Sequence, residues 1–542
     1  MRRIAYRIPQ GGDFINGKVK GFLHAGDKVF LNGDNEPILL RGVGLGNWLL
    51  PEGYMWHFPG RRADRPHRIK KLVAELCGEA YAGKFFEAFE EGYITEKDIA
   101  QIAKEGYNSI RIPFTWRVLM EEGPSINFKE SGFALLDRCL DLCEKYGLYA
   151  FLDLHGAPGG QTGSNIDDCV DDVPRLFIDN DSWDKALKLW EALALRYRNR
   201  WIVGGYDLLN EPLHTVSRDG LMPNVDFLIP ALRRFYEECI QTIRHVDDNH
   251  LLSLEGPHWS TDISIFDQDY DPNMCVHFHR YWNAPGPAIL ESYIALREKN
   301  HLPLWLGETG ENNLAWFTSM FPLLEEYDIS WNFWPWKKMD CLNSPCSIVR
   351  PTGWELVLSY LMGGPHPGFE KAQAIFNEYL QNMRFENVNY LPLVVSAMMR
   401  RADVTVPAIQ HDILNSHCGR FMYKPGALPE KNTSPGNPQE SRADHPWVLY
   451  GLQLGRGDQA AYTIHLQDVP THVLLRLLPL AEKTLIQAGA LNAQEKHLLI
   501  RSTDFQTLPV LTLPQGKEET CRVTVACLYG SVLLDEVIFQ GE

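Results

Sequence analysis

Tyr206-Asp207-Leu208-Leu209-Asn210-Glu211-Pro212 is a short apolar, strand-like run that ends in a carboxylate and a proline. Leu304-Trp305-Leu306-Gly307-Glu308-Thr309-Gly310 has the same form, with glycine as the breaker. A carboxylate at the C-terminal end of a strand, followed by a turn, stands where parallel barrels carry their functional groups. Outward from these two runs, strand-like segments alternate with amphipathic stretches. Strands are expected at 38–44, 109–114, 149–156, 204–211, 250–256, 274–281, 302–307 and 329–336. Thr95-Glu96-Lys97-Asp98 reads as the start of a helix over 95–105. Phe133, Leu136, Leu140 and Cys143 share one face of a helix over 133–146, and 183–197 is similar. Eight βα units in about 300 residues predict an α/β fold, a (β/α)8 TIM barrel.

The chain outside those units divides by composition. Residues 1–37 read as an N-terminal capping segment, with Val29-Phe30-Leu31-Asn32-Gly33-Asp34 as a hairpin turn. The barrel is assigned to 38–384; Gly363-Gly364-Pro365-His366-Pro367-Gly368 interrupts it before a helix over 372–383. A linker is expected at 385–401. From 402 to 542, short β-type runs and polar turns, with a Pro-, Ser- and Asn-rich stretch at 425–446, predict a C-terminal β-sandwich.

The 542 residues are 45% hydrophobic and 22% charged, a soluble globular composition long enough for two or three domains. A net charge of −17 opposes a nucleic-acid or anionic-membrane partner and suits a neutral ligand. The basic start Met1-Arg2-Arg3 runs on without an apolar signal region, and no apolar run is long enough for membrane insertion. Eleven cysteines lack paired metal-type spacing, which fits free thiols in a cytoplasmic compartment, or a secreted protein if a signal peptide has been removed. Nothing in the sequence speaks to oligomeric state.

Two strand-end glutamates suggest acid/base and nucleophile roles at one acetal centre. As acid, Glu211 needs burial and a neighbouring negative charge to hold its proton; Glu308 needs a cation to stay ionised. Arg111, between Ile110 and Ile112 on a barrel strand, points inward, needs a carboxylate partner and is that candidate cation. Asn210 carries an amide suited to a sugar 2-hydroxyl. His277, His279 and Tyr281 alternate on one strand face, so a metal pair is geometrically available. Ser330-Trp331-Asn332-Phe333 supplies no acidic ligand at strand eight. No metal or other cofactor is therefore expected, and the histidines are read as structural or as substrate and carboxylate contacts. Trp331 is expected against the helices and Trp334 towards a ligand, since aromatic rings line small-molecule pockets. The insertion 47–92, with Trp48, Tyr54, Met55, Trp56, His57 and Phe58, reads as a lid or pocket wall and suggests exo action.

Leu40-Arg41-Gly42-Val43-Gly44-Leu45-Gly46, Ile110-Arg111-Ile112-Pro113, Asp153-Leu154-His155-Gly156-Ala157-Pro158-Gly159, Asn210-Glu211-Pro212, His279-Arg280-Tyr281, Gly307-Glu308 and Trp334 occur in order. Over about residues 20–340 this set resembles the family 5 glycoside hydrolases. The resemblance implies a retaining β-glycosidase or endoglycanase acting on β-linked glucosides or β-glucan oligosaccharides. It places the acid/base on strand four and the nucleophile on strand seven, lines the site with His155 and His279, bonds Tyr281 to the nucleophile and sets Trp334 under the cleaved sugar. The nearest branch is the exo-β-1,3-glucanases, where Gly-Gly-Trp-Leu precedes a Glu-Pro; here Gly46-Asn47-Trp48-Leu49-Leu50-Pro51-Glu52 stands instead, and Glu52 is carried over as a sugar-hydroxyl ligand. The tail, through Val406-Pro407-Ala408-Ile409-Gln410 and Gly457-Asp458-Gln459-Ala460-Ala461-Tyr462, is similar to family 6 carbohydrate-binding modules, with Trp447, Tyr450 and Tyr462 as sugar-contact candidates. Two other readings stay open: a non-catalytic carbohydrate-binding scaffold, and a metal-dependent barrel hydrolase using His277 and His279.

Overall fold

A computed structural model describes residues 17–214, 225–416, 420–425, 450–490, 493–516 and 520–542. The stretch expected at 425–446 lies outside the described residues from 426 on, as does Trp447.

Eight parallel strands close a barrel in chain order: β1 Arg41–Gly44, β2 Ser109–Thr115, β3 Tyr149–Gly156, β4 Val203–Asp207, β5 Leu251–Glu255, β6 Met274–His279, β7 Leu304–Gly310 and β8 Ser330–Trp334, which pairs back onto β1. Every residue of β2 to β8 is buried, because helices cover the outside and side chains fill the inside. The expected helices form at Glu96–Lys104, Glu130–Tyr146 and Asn180–Tyr197. The first opens on a capping box: the Asp98 carboxylate accepts the Thr95 N–H and hydroxyl, both at 2.9 Å.

Two expectations are corrected. The fourth strand ends at Asp207, not at residue 211, so Glu211 sits on the loop beyond it. Residues 385–401, expected as a linker, hold the helix Pro392–Met398, whose Val394, Val395, Ala397 and Met398 are buried. Pro392 is at its first position, where a missing N–H costs nothing.

Residues before β1 form three two-residue strands, His24–Ala25, Phe30–Leu31 and Pro37–Ile38. Leu23, Phe30, Ile38 and Leu40 pack with Tyr149, Phe151, Leu251, Cys275 and Trp305, residues at or near the starts of the strands, and so plug the barrel's N-terminal end. The insertion after β1 folds into helices Pro66–Cys77 and Glu79–Gly92. Trp56 is fully buried and stacks on Tyr379 of the helix Phe369–Asn382 at 4.4 Å. The C-terminal part is two antiparallel sheets of a sandwich. Arg400 ties it to the barrel by donating to the Thr318 carbonyl at 2.6 Å and by pairing with Asp412. Tyr462 is core, its hydroxyl donating to the Ala408 carbonyl, so it is unavailable to a sugar. Among the described residues ten cysteines are buried, and no helix is long and apolar enough to cross a membrane.

Candidate active site

The C-terminal strand ends and the loops beyond them gather Arg111, His155, Asn210, Glu211, His279, Tyr281, Glu308 and Trp334. Arg111, on β2, is wholly buried and divides its donors among several acceptors. Nε donates to Asp207 at 2.8 Å, Nη1 to Glu308 at 2.9 Å, and Nη2 to the Asn210 side-chain oxygen at 2.8 Å and Glu255 at 3.0 Å. Asp153 lies 3.1 Å from the same Nη2. Four carboxylates thus surround one guanidinium, a balance that a buried cluster reaches only if some of the acids keep their protons. Burial, Asp207 and Asp153 push Glu255 well above the usual range, and Asp153 is driven the same way by burial and Asp207. Burial acts on Asp207 too, but His277 and Arg111 outweigh it and hold it at about 2.

Glu211 and Glu308 meet across the mouth. One oxygen of each and a nitrogen of His279 all lie within 4.8 Å of one another. Retaining hydrolysis places its two carboxyl groups about 5 Å apart, whereas inversion requires about 6.5–9.5 Å to admit a water. Burial pushes each glutamate up to about 7. Their partners then separate them. Glu308 accepts Arg111 on one oxygen and the Tyr281 hydroxyl, at 2.6 Å, on the other, and both contacts favour its charged form. His279 Nδ1 stands 2.7 Å from Glu211 and His214 Nε2 3.8 Å, and burial and His277 keep the His279 ring neutral. The contacts that favour the charged form thus fall on Glu308.

His155 leans its Nδ1 on Asp153 at 2.8 Å, which leaves Nε2 to accept from the Asn210 amide at 3.2 Å. Asn210 is oriented by this: its oxygen is taken by Arg111, and one amide hydrogen remains for a ligand. Trp334 stacks parallel to His155 at 5.5 Å and donates to the Tyr54 hydroxyl at 3.0 Å. Glycine is required beneath the indole, since a Cβ on Gly44 would lie 2.5 Å from Trp334 Cε3. Trp331 faces the helices as expected, donating to Glu325.

Glu52 comes into the same site. It is 3% exposed, and burial together with Glu308, Glu311 and Glu211 pushes its pKa well up. Of the insertion's aromatic residues, Tyr54 bonds Trp334, while Trp48 is buried against the insertion's own Glu90 and Trp56 against Tyr379 and Trp354.

Several residues escaped the sequence reading: Asp153 and Asp207 under Arg111, and the pair Lys338 and Glu311 at 2.7 Å. Asp153 and Asp207 are spaced by two and four from His155 and Glu211, and β-strand alternation at Asp153 was the signal available. His277 lies below the mouth, its Nδ1 3.1 Å from Asp207 and its Nε2 3.0 Å from that of His279. Gly307 makes room for it, as a Cβ there would sit 1.9 Å from His277 Nε2.

Two triads have metal-ligand spacing, Glu255–His277–His279 and Glu211–His279–Glu308. Each contains a carboxylate already bonded to Arg111, whose fixed positive charge opposes a second cation there.

The chain is similar in sequence to several known proteins. The chain is 32% identical over 273 residues to a beta-xylosidase of Phanerodontia chrysosporium, covering 50% of this chain and 54% of that protein. It is 26% identical over 324 residues to endoglucanase C of Acetivibrio thermocellus, 48% of this chain and 88% of that one. It is 31% identical over 225 residues to a glucan 1,3-beta-glucosidase of Candida oleophila, 38% and 48% respectively. The chain thus spans about half the length of the xylosidase and the glucan glucosidase. The model of the family described as cellulase (glycosyl hydrolase family 5) matches residues 79–340. The matched segment holds seven of the eight barrel strands, so the barrel is similar to glycosyl hydrolase family 5 over that stretch.

Proposed function

We propose that the chain hydrolyses β-linked glucosides or β-glucan-type oligosaccharides with retention, Glu308 as nucleophile and Glu211 as acid/base. The observation that carries this reading is the approach of the two carboxyl groups to within 4.8 Å. Glu308 attacks the anomeric carbon, the C1–O bond breaks, and the Glu211 proton goes to the departing oxygen. Water then gives its proton to Glu211, attacks C1, and releases Glu308 as the carboxylate. Arg111 and the Tyr281 hydroxyl hold Glu308 ionised before attack and take up its charge when it leaves. The free amide hydrogen of Asn210 is placed for the 2-hydroxyl, Trp334 for the sugar face, and Glu52 for outer hydroxyls.

Aryl β-glucosides, β-mannosides and short β-1,3 and β-1,4 oligomers are the test. The expected outcome is turnover whose first product, read by proton NMR, keeps the β configuration, undiminished by a strong chelator. An α first product would overturn the double displacement. Loss of activity to the chelator would favour a metal reaction at His277 and His279, and no turnover on any substrate a binding scaffold.

Tyr281→Phe tests the charge on Glu308. The hydroxyl lowers the Glu308 pKa, so its loss raises it, and the ionised fraction is reached only at higher pH. The acidic limb of the kcat/KM profile is expected to move alkaline while the basic limb, set by Glu211, stays. Losing one charge-assisted hydrogen bond costs about 1.5–3 kcal/mol, or roughly ten- to hundredfold in rate. An unmoved acidic limb would remove Tyr281 from this role.

A further inference from the structure

Glu255 ends β5 and is wholly buried. Its two carboxyl oxygens have separate partners. Oε1 accepts Arg111 Nη2 at 3.0 Å; Oε2 accepts the backbone N–H of Glu211 at 2.7 Å. The strand holding its backbone is itself braced, with the Tyr236 hydroxyl donating to the Glu255 carbonyl at 2.7 Å.

These two contacts differ in how replaceable they are. Arg111 has four further acceptors in Asp153, Asp207, Asn210 and Glu308. The Glu211 amide has Glu255. By that point the chain has left the barrel ladder, whose fourth strand ends at Asp207. Glu211 also sits at φ +39°, in the left-handed region that a residue with a side chain keeps only when its surroundings impose it. The neighbouring amides are held elsewhere, Asn210 by the Leu154 carbonyl and Leu213 by that of Gln161. The Glu255 carboxyl is what holds the middle of this turn.

We propose that Glu255 is a positioning residue which fixes the backbone of Glu211, and so aims the acid/base at the leaving-group oxygen. This rests on the retaining-glycosidase reading above. Glu308 is carried on another strand and keeps its own two contacts, so displacing Glu211 impairs proton delivery and leaves nucleophilic attack.

Glu255→Gln is the variant of choice. A carboxamide offers one acceptor where the carboxyl offers two. The charged guanidinium takes it, and the amide NH2 then opposes the Glu211 N–H, donor against donor. The readout is a pair of β-glycosides of one sugar: phenyl, whose leaving group needs a proton, and 2,4-dinitrophenyl, whose leaving group does not. For the phenyl glycoside kcat/KM is expected to fall by about 10²-fold, the lower range for loss of general acid catalysis. For the dinitrophenyl glycoside the expected fall is under about tenfold, since Glu308 keeps its two contacts and this leaving group needs no proton. The ratio of the two falls does not depend on folded yield. If the glutamine variant yields no folded protein, Glu255→Asp, which withdraws the carboxyl by one methylene, gives the same ratio with the same expected direction. Equal falls on both substrates, or wild-type-like activity on the phenyl glycoside, would overturn the assignment. Wild-type protein inactive on both would instead overturn the glycosidase reading, so the two failures are distinct.

Discussion

Glu308→Ala is expected to abolish hydrolysis, with kcat on aryl β-glycosides falling by about 10⁴-fold or more. Removing a covalent nucleophile costs about as much as disabling the whole catalytic unit. The geometry adds a more specific expectation. Truncation at Glu308 leaves a space beside Arg111 Nη1 and the Tyr281 hydroxyl, two donors formerly 2.9 and 2.6 Å from its oxygens. Azide, a small anion, fits a space edged by those donors. With an activated leaving group it should attack C1 from the face Glu308 used and give the α-glycosyl azide in one displacement. Azide-dependent product of α configuration is the positive result; wild-type-like turnover in the variant would end the assignment of Glu308.

Arg111→Met is the second large effect, and it reaches stability as well as turnover. The substitution keeps most of the volume but leaves Asp153, Asp207, Glu255 and Glu308 facing one another without the guanidinium. Removing one partner of a buried ion pair costs about 3–5 kcal/mol, and here one partner serves four. The loss depends on pH with a definite sign. Without the cation these carboxyls have folded-state pKa values above their unfolded ones, so the folded state binds more protons and stability falls as pH rises from about 4 upwards. The deficit against wild type is therefore expected to be smaller near pH 5 than at pH 8. Thermal midpoints of both proteins at the two pH values test this, and equal midpoints at pH 8 would refute it. Activity should fall at least as far as in Tyr281→Phe, since Arg111 is the stronger of the two influences lowering Glu308.

Much of this centre was legible before any coordinates. The eight barrel strands follow from apolar runs punctuated by Gly and Pro, and Arg111 between two isoleucines announced both its inward direction and its need for an acid. What stayed hidden is the depth of side chains along the barrel axis. Asp153, Asp207 and Glu255 lie on the same inward faces as the site residues, and alternation alone does not say which reach the mouth and which stay below it. The end of the fourth strand was misjudged because Leu208 and Leu209 continue the apolar run, although the ladder stops at Asp207 and the leucines are buried in the loop. The helix Pro392–Met398 is seven residues long, too short for a 3.6-residue period to declare itself. Glu52 could be placed by resemblance only, because the fold of the insertion around it depends on partners far along the chain.

That dependence sets the minimal catalytic unit. The wall bearing Glu52 and Tyr54 is pinned through Trp56 to Tyr379 and Trp354, both beyond residue 340, where the family match ends. A fragment ending at residue 340 would keep Glu211 and Glu308 yet lose the clasp on one side of their cleft. Competence in this protein is therefore distributed past the homologous core, and engineered truncations need to retain the chain at least through Asn382.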